Sequence, residues 1–333
     1  MSKHIKTITT LLILVMFFSC QNRKQKTLQI DPSELAEINV EIKRYGKALF
    51  EIDTANFNDG LKKIQSEFAY FLDADLKDTA NINQLYSFVS DSQTRRLYQK
   101  TLEVYPDLNQ LEKELSDAFS RYHYFFPENT IPEIFTYVSD LYYERPVWLK
   151  DSVLVVALDV YLGRDFFLYP HLGLPQYKIR CMEPEYISVD IMKTLYIQEV
   201  WVNQKQNTLL DRMITGGKIL YYLDAVLPIM PDTIKLCYTK KQLLWAEENE
   251  KNVWAFIVHD ELLYSTDFKT QANLIQDGPF TKGFSGESPS RLGVFIGWQI
   301  VKEYMLKHPE LGLQELMNLK DAQLILQQSG YKP

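Results

Sequence analysis

Carboxylate side chains are concentrated in the loop-rich stretch 159–190, DVYLGRDFFLYPHLGLPQYKIRCMEPEYISVD. Two carboxylates facing each other across a sugar can cleave a glycosidic bond, one as acid and the other as base or nucleophile. Spacing along a loop does not fix the gap between two acids. Acids in loops are more often solvated or placed at a helix N-terminus, where the dipole favours negative charge. The candidates are Asp159, Asp165, Glu183, Glu185 and Asp190.

Aromatic side chains in the same stretch could line a groove for a peptide or a partner segment. Tyr161, Phe166, Phe167 and Tyr169 are the candidates, although core packing is the commoner role of such residues. We predict no catalytic residue in this region. The candidate groove consists of Tyr161, Asp165, Phe166, Glu183, Glu185 and Asp190.

The five histidines lack the spacing of a helical zinc site. An HExxH motif places two imidazoles four residues apart on one helix face, with a glutamate beside them. After position 20 the nearest pair is His123 and His171. In a helix, side chains one or two residues apart point in different directions. His259, in the run HDE, could therefore not bind one ion together with Asp260 and Glu261, and we expect it on a helix face. The sequence predicts no metal and no cofactor, unless dispersed ligands assemble in space.

Other catalytic motifs are missing from the sequence. There is no GxSxG and no phosphate-binding glycine loop. Gly293 and Gly297 lie one turn apart in a helical pattern, which predicts close approach of a neighbouring helix. Cys181 and Cys237 belong to no CxxC motif, so a cysteine metal site is not expected. An oxidising compartment would permit a bridge between them, but the sequence leaves their pairing open.

The N-terminus has the pattern of a bacterial lipoprotein signal. Lys3 and Lys6 precede the apolar run 11–18, which is too short to span a bilayer, since that takes about 20 residues. Ser19 and Cys20 follow, as expected where a thiol is acylated and the chain is cut before it. An ordinary cleaved signal is the alternative. We predict a signal peptide at 1–19 and a membrane anchor at Cys20, since several acyl chains hold a protein firmly.

Composition predicts one folded domain in the cell envelope. The polar segment 20–33 has no apolar period and resembles a tether. Without residues 1–19 the chain keeps 34 basic and 43 acidic side chains, and no basic patch indicates nucleic acid. No Pro/Gly/Ser-rich linker divides the rest, so we predict a single domain at 34–333, on the periplasmic side of a membrane.

Apolar periodicity predicts a mostly helical α+β fold with a small sheet. A helical pattern covers 61–71, and β-branched apolar runs predict strands. Thr239 and Gln242 have capping-box spacing at a helix start, and Gly330 has the C-cap position of the last helix. The predicted helices are 97–105, 108–124, 188–200, 240–263, 291–305 and 321–328, and the predicted strands are 134–139, 153–161 and 233–238.

Several segments resemble the gliding motility lipoprotein GldB family of Bacteroidota. They are FFSC, VLVVALDVYLGRD, LPQYKIRCMEPEYISVDI, LLDRMITGGKILYYLDAVLP and SPSRLGVFIGWQIVKEYM. YLGRD at 161–165 and RLGVFIGWQIV at 291–301 are the most distinctive. The resemblance implies an envelope lipoprotein required for surface gliding, a movement linked to type IX secretion, with other gliding-machinery proteins as partners.

The C-terminal half is also distantly similar to a predicted zinc-protease family with a zincin-like fold. In that family a helix at the place of 188–200 would carry HExxH, and the next helix would add a ligand. This chain has Asp190, Lys193 and Thr194 in the first helix, and Thr215 and Gly216 in the second. The resemblance therefore implies a zincin-like scaffold without its metal ligands, which is catalytically inactive.

Two function classes follow. The first is a lipid-anchored, non-enzymatic structural or binding component of the gliding machinery. The second is an envelope hydrolase that acts on peptide or glycan through dispersed residues such as Asp165 and Glu183. A third possibility, a groove that binds a peptide or partner segment, merges with the first.

Overall fold

A computed structural model describes Leu28 and residues 30–76, 78–199 and 207–333. The predicted signal peptide, Cys20 and most of the predicted tether lie outside the described residues. Helices dominate the described chain and a small sheet accompanies them, so the predicted α+β class is confirmed.

The helices follow one another through most of the described sequence. In chain order they are α1 (Tyr45–Phe50), α2 (Phe57–Gln65), α3 (Thr79–Ser90), α4 (Ser92–Val104), α5 (Asn109–Phe125), α6 (Leu168–His171), α7 (Gln176–Ile179), α8 (Ile187–Glu199), α9 (Leu209–Val226), α10 (Asp232–Leu236), α11 (Lys240–Glu248), α12 (Glu250–His259), α13 (Phe268–Ile275), α14 (Leu292–Lys307), α15 (Leu313–Asn318) and α16 (Ala322–Ser329). No helix in this part of the chain combines the length and the apolar character needed to cross a bilayer.

A four-stranded sheet has the order β1–β2–β4–β3. Its strands are β1 (Ile42–Lys43), β2 (Glu133–Tyr137), β3 (Val147–Lys150) and β4 (Val153–Ala157). β2 runs parallel to both β1 and β4, with Ile134 opposite Leu154, while β3 pairs antiparallel with β4 at the edge. Leu154 is fully buried in β4, as expected for an apolar run between two neighbouring strands.

Helices α9 and α14 form a closely packed pair in the core. Fourteen of the eighteen residues of α9 are buried, so this helix is enclosed on nearly all sides. A Cβ atom on Gly297 of α14 would overlap the carbonyl group of Met213, and one on Gly217 would overlap the backbone of Gly297. The predicted close helix approach at Gly297 is therefore confirmed, with α9 as the neighbour.

One buried carboxylate in this core, that of Asp224, has two polar partners. Asp224 of α9 accepts a hydrogen bond of 2.8 Å from Trp298 Nε1 of α14. Its other carboxylate oxygen lies 2.7 Å from Lys235 Nζ, and the Lys235 side chain is buried. This ion pair fixes α10 against α9 and thereby places the chain that follows α10.

The predicted strand at 233–238 is wrong, because this segment forms α10. Pro231 precedes the helix and Asp232 lies in its first turn, and both favour a helix start over a strand. The helix ends at Cys237, whose φ of 51° is left-handed. Local start signals therefore outweighed the β-branched residues of TIKLCY.

The ends of two other predicted elements, the strand at 153–161 and the helix at 240–263, differ from the structure, whereas two predicted helix caps are confirmed. The strand predicted at 153–161 ends at Ala157, where the chain turns into a 3-10 helix at Leu158–Val160. The helix predicted at 240–263 is divided at Asn249 into α11 and α12. The capping box at Thr239 is confirmed, and so is the left-handed cap at Gly330, with a φ of 55°.

Candidate functional site

A hydrogen bond joins the end of the 3-10 helix that follows β4 to helix α8. The hydroxyl of Tyr161 donates to Asp190 Oδ2 at 2.8 Å. The Tyr161 ring is buried, and its backbone carbonyl accepts a hydrogen bond of 2.5 Å from the Tyr105 hydroxyl. Two residues of the predicted groove, 29 positions apart, are therefore brought together, and Asp190 is held towards a cavity.

This cavity, which we name the charged pocket, has a volume of about 310 Å³. Tyr161 and Asp190 line it together with Tyr143, Tyr177, Tyr186 and the Cys181–Cys237 pair. Its charged lining residues are Glu144, Lys178, Arg180, Asp190, Lys193, Asp277 and Arg291. Four of these are cationic and three are anionic, in a chain whose formal net charge is −7.

Lys193 lies beside Asp190 on one face of α8, three residues further on. Its Nζ is 3.8 Å from Asp190 Oδ1, and the two side chains are 22% and 33% exposed. Burial raises the pKa of the Asp190 carboxyl, against the lowering effects of Lys193 and the Tyr161 hydrogen bond. Burial lowers the pKa of the Lys193 ammonium, against the effect of Asp190. Each charge therefore depends on the other to remain ionised.

Two arginines, Arg180 and Arg291, join Lys193 on one side of the pocket, which we name the cationic wall. Each arginine donates a hydrogen bond to a backbone carbonyl. Arg180, just after α7, donates to Cys237 O at 2.8 Å and to Gln242 Oε1 at 2.9 Å. Arg291, left-handed at a φ of 58° before α14, donates to Leu236 O and lies 2.9 Å from Asp277 Oδ1. The end of α10 is therefore held by a guanidinium on each side, and both groups face the pocket.

Cys181 and Cys237 form a disulfide in the wall of this pocket, with their Cα atoms 6.0 Å apart. The bridge joins the segment after α7 to the end of α10, and Arg180 binds the carbonyl of the same Cys237. The pairing that the sequence left open is therefore made, and it fixes one side of the charged pocket covalently.

The other predicted groove residues do not belong to the charged pocket. Asp165, Phe166 and Glu183 line a separate cleft of about 600 Å³. Glu185 is exposed and lines neither cavity in the described structure. The residues predicted to form one groove are therefore divided between two cavities, and Glu185 belongs to neither.

The turn after Tyr161 accounts for the glycine and the arginine of the distinctive segment YLGRD at 161–165. Gly163 has a φ of +98°, a conformation that glycine adopts without steric cost, and its N–H donates to Met182 O at 2.9 Å. Arg164 then forms an ion pair with Glu183. Glu183 is thus bound to a cation, while Asp165 is exposed, and both line the separate cleft.

The remaining candidates have structural positions. Asp159 is fully buried and accepts hydrogen bonds from the backbone N–H groups of Ser139 and Leu141, at 2.9 and 2.7 Å. Burial raises its pKa to about 6. Tyr169 is buried and its hydroxyl accepts from Leu162 N, whereas Phe167 is 67% exposed. Asp159 and Tyr169 therefore shape the turn beneath the pocket without lining it.

The charged pocket does not suit a zinc ion. The carboxylate that α8 offers is Asp190, and its neighbours are the Lys193 ammonium and the Tyr161 hydroxyl. A nearby ammonium repels a cation. In the described ranges, no three His, Cys, Asp or Glu side chains are placed to hold a metal ion. His259 is exposed at the end of α12, with Nδ1 2.8 Å from Asp260 Oδ1, in keeping with a helix-face position.

Sequence reasoning missed most of the charged residues that line this pocket. Arg180, Asp277 and Arg291 come from three segments separated by up to 111 positions, and nothing in their local sequence indicates convergence. Lys193 did carry a signal. It lies three residues after Asp190 in a helix rich in apolar residues, and such a pair marks a helix face that is not simply core.

The chain matches the family model described as gliding motility protein GldB over residues 25–333. The chain belongs to this family. The match covers the charged pocket and the whole described fold. No curated protein and no solved structure matches the chain.

Membership in the GldB family confirms the predicted resemblance, including its extent over nearly the whole chain. It makes this a gliding-motility-related protein. The distant similarity to zincin-like proteases stays a prediction.

Proposed function

We propose that this protein is a lipid-anchored, non-enzymatic component of the gliding machinery of the cell envelope, and that it acts by binding another component. The observation that carries the proposal is the GldB family match over residues 25–333. Because the match spans the entire described domain, the role in gliding is attributed to this domain and not to an appended segment.

The anchor is proposed at Cys20. The basic start, the short apolar run and the Ser19–Cys20 pair have the order of a lipoprotein signal. The family's lipoprotein designation supports the same reading. We expect Cys20→Ser to release the protein from membranes into the soluble envelope fraction. Globomycin, which blocks processing of lipoprotein signals, should leave a longer precursor in wild-type cells.

The chemistry of the charged pocket supports a binding role. Arg180 and Arg291 hold the chain at α10, and Asp277 is paired with Arg291. Asp190 is engaged by Tyr161 and Lys193. Such an arrangement of fixed charges recognises a charged ligand, whereas general acid–base catalysis needs a group that exchanges its proton freely with a substrate.

An envelope hydrolase is the second candidate, and one observation favours it. Burial raises the pKa of the Asp190 carboxyl, and a second carboxylate, Asp277, lines the same cavity. A carboxyl with a raised pKa is suited to act as a general acid. Cleavage of peptide or peptidoglycan fragments by purified protein, lost in Asp190→Asn, would establish this function in place of the first.

The test of the first proposal is genetic. Deletion of the gene should stop spreading on agar, and a plasmid copy should restore it. Crosslinking in gliding cells, followed by identification of the captured protein, should recover another envelope component of the gliding machinery. Normal spreading of the deletion strain would contradict the proposal.

A further inference from the structure

The Lys193 ammonium group has an incomplete set of hydrogen bonds. Its nearest carboxylate oxygen, Asp190 Oδ1, is 3.8 Å away, which is beyond hydrogen-bond distance. Within the described residues Lys193 Nζ donates no hydrogen bond, although only 22% of the side chain is exposed. An enclosed charge without hydrogen bonds is costly. An anionic oxygen in the pocket would supply the missing acceptor.

The groups around Lys193 reinforce an attraction for anions. Arg180 is bound to neutral acceptors, a carbonyl and an amide oxygen, so no carboxylate among the described residues neutralises it. Arg291 lies close enough for its charge to lower the pKa of Lys193. The pocket lining as a whole carries one more positive than negative charge. One negative charge would balance it.

Because one negative charge balances the pocket lining, a carboxylate is favoured over a phosphate group as the bound anion. Asp190, Asp277 and Glu144 line the same pocket and would repel a dianion. The volume of about 310 Å³ is at the lower end of the range for ligand sites. It therefore admits one end of a molecule and not the whole of a large ligand.

An open groove of about 670 Å³ continues from the charged pocket. Tyr177 and Asp277 line both cavities, which makes them neighbours. We name the second cavity the Phe256 groove, because Phe256, Leu262 and Phe280 supply its apolar surface. Thr270 and Gln276 line it as well and offer hydrogen-bonding groups that suit a peptide backbone more than an alkyl chain.

We propose that the charged pocket binds the carboxylate end of a peptide chain, with Lys193 contacting the carboxylate and the preceding apolar residues lying in the Phe256 groove. The proposal rests on the binding role proposed above and names the class of ligand. Arg180 and Arg291 shape the wall and supply the surrounding positive charge. The ligand is a protein segment whose C-terminus is free and whose last residues are apolar.

The test uses the full mature chain, purified in detergent and immobilised. It is exposed to a mixture of hexapeptides with randomised positions and free carboxylate ends, and separately to the same mixture as carboxamides. Retained peptides are counted by mass spectrometry. We expect about tenfold or greater retention of the carboxylate mixture, with apolar residues enriched near the end, since hydrogen bonds to charged groups are strong. Equal retention of both mixtures would overturn the proposal.

Variants of Lys193 test whether the charged pocket is where the carboxylate binds. Lys193→Met should abolish the preference for carboxylates, and Lys193→Arg, which keeps the charge, should retain part of it. Lys240→Met is the matched control, because Lys240 is exposed and lines none of these cavities. Thermal unfolding checks that each variant is folded. If a folded Lys193→Met variant kept the full preference, the pocket would not be the site.

Competitors distinguish the source of the anion. Dodecanoate has a carboxylate and an apolar chain but no peptide groups, and inorganic phosphate has charge alone. We expect neither to displace the retained peptides at equal concentration. Displacement by dodecanoate would assign the site to fatty acids and contradict the peptide proposal. Because this assay uses purified protein, its failure leaves the genetic test of the gliding role unaffected.

Discussion

The hydroxyl of Tyr161 donates a 2.8 Å hydrogen bond to Asp190, and this bond joins the turn after β4 to helix α8 at the floor of the charged pocket. The bond also lowers the pKa of the Asp190 carboxyl, against the raising effect of burial. It therefore links the stability of the fold to the charge of the pocket.

Tyr161→Phe should raise the pKa of Asp190 further and reduce the free energy of unfolding by about 1 kcal/mol, because one buried hydrogen bond is lost. Carbon NMR of labelled aspartate carboxyls as a function of pH measures the first effect, and urea unfolding measures the second. Tyr177→Phe is the control, since Tyr177 lines the same pocket without a hydrogen bond to Asp190. An unchanged Asp190 titration in Tyr161→Phe would contradict the role of this bond.

The Cys181–Cys237 disulfide should stabilise the folded chain. Its two cysteines are 56 positions apart, and closing a loop of this length restricts the unfolded chain by an amount worth about 2–4 kcal/mol. The double variant Cys181→Ser with Cys237→Ser should unfold at lower urea concentration by that free energy. Reductant should destabilise the wild-type protein and leave the double variant unchanged. Equal sensitivity of both to reductant would show that the bridge does not form.

Gly297 should tolerate no side chain. A Cβ at this position would overlap the Met213 carbonyl in the α9–α14 interface, where backbone cannot move aside cheaply. Gly297→Ala should lower the free energy of unfolding by about 3 kcal/mol or more. Gly286→Ala is the matched control, because a Cβ there meets no atom within 4 Å. Similar urea midpoints for the two variants would refute the close approach.

The stability of the protein should depend on pH through Asp159. Burial raises its pKa from 3.8 to about 6 in the folded chain. A carboxyl with a raised folded pKa stabilises the fold below its unfolded pKa, and that contribution is lost as the pH rises through 6. Relative to Asp159→Asn, the wild-type free energy of unfolding should fall by about 2 kcal/mol between pH 4 and pH 7. A pH-independent difference between the two proteins would contradict this.

Local patterns predicted those parts of the fold that local interactions decide. The capping box at Thr239 and the glycine cap at Gly330 were placed correctly, because each depends on residues within one turn. The apolar run of β4 was recognised as a central strand for a similar reason. Strand β1, with only Ile42 and Lys43, is too short for any periodic signal.

Non-local geometry explains what could not be predicted. TIKLCY at 233–238 has the composition of a strand, yet the ion pair of Lys235 with Asp224 of α9 adds to the local start signal at Pro231 and favours a helix there. The candidate groove was predicted from neighbours in sequence, whereas the turn at Gly163 separates them into two cavities. Arg180 precedes α10 by about 50 residues and Arg291 follows it by about as many. They meet at the end of α10 only because the fold brings both segments to it.

Gliding speed of cells that carry Asp190→Asn in place of the chromosomal copy tests the central claim most directly. Asparagine keeps the size of the side chain and its bond to Tyr161 but removes the carboxylic acid. A binding protein should move cells at the wild-type speed, since a bound carboxylate would supply Lys193 with the negative partner that Asp190 provides in the free protein. Abolished gliding at normal abundance of a folded Asp190→Asn protein would contradict a non-enzymatic role.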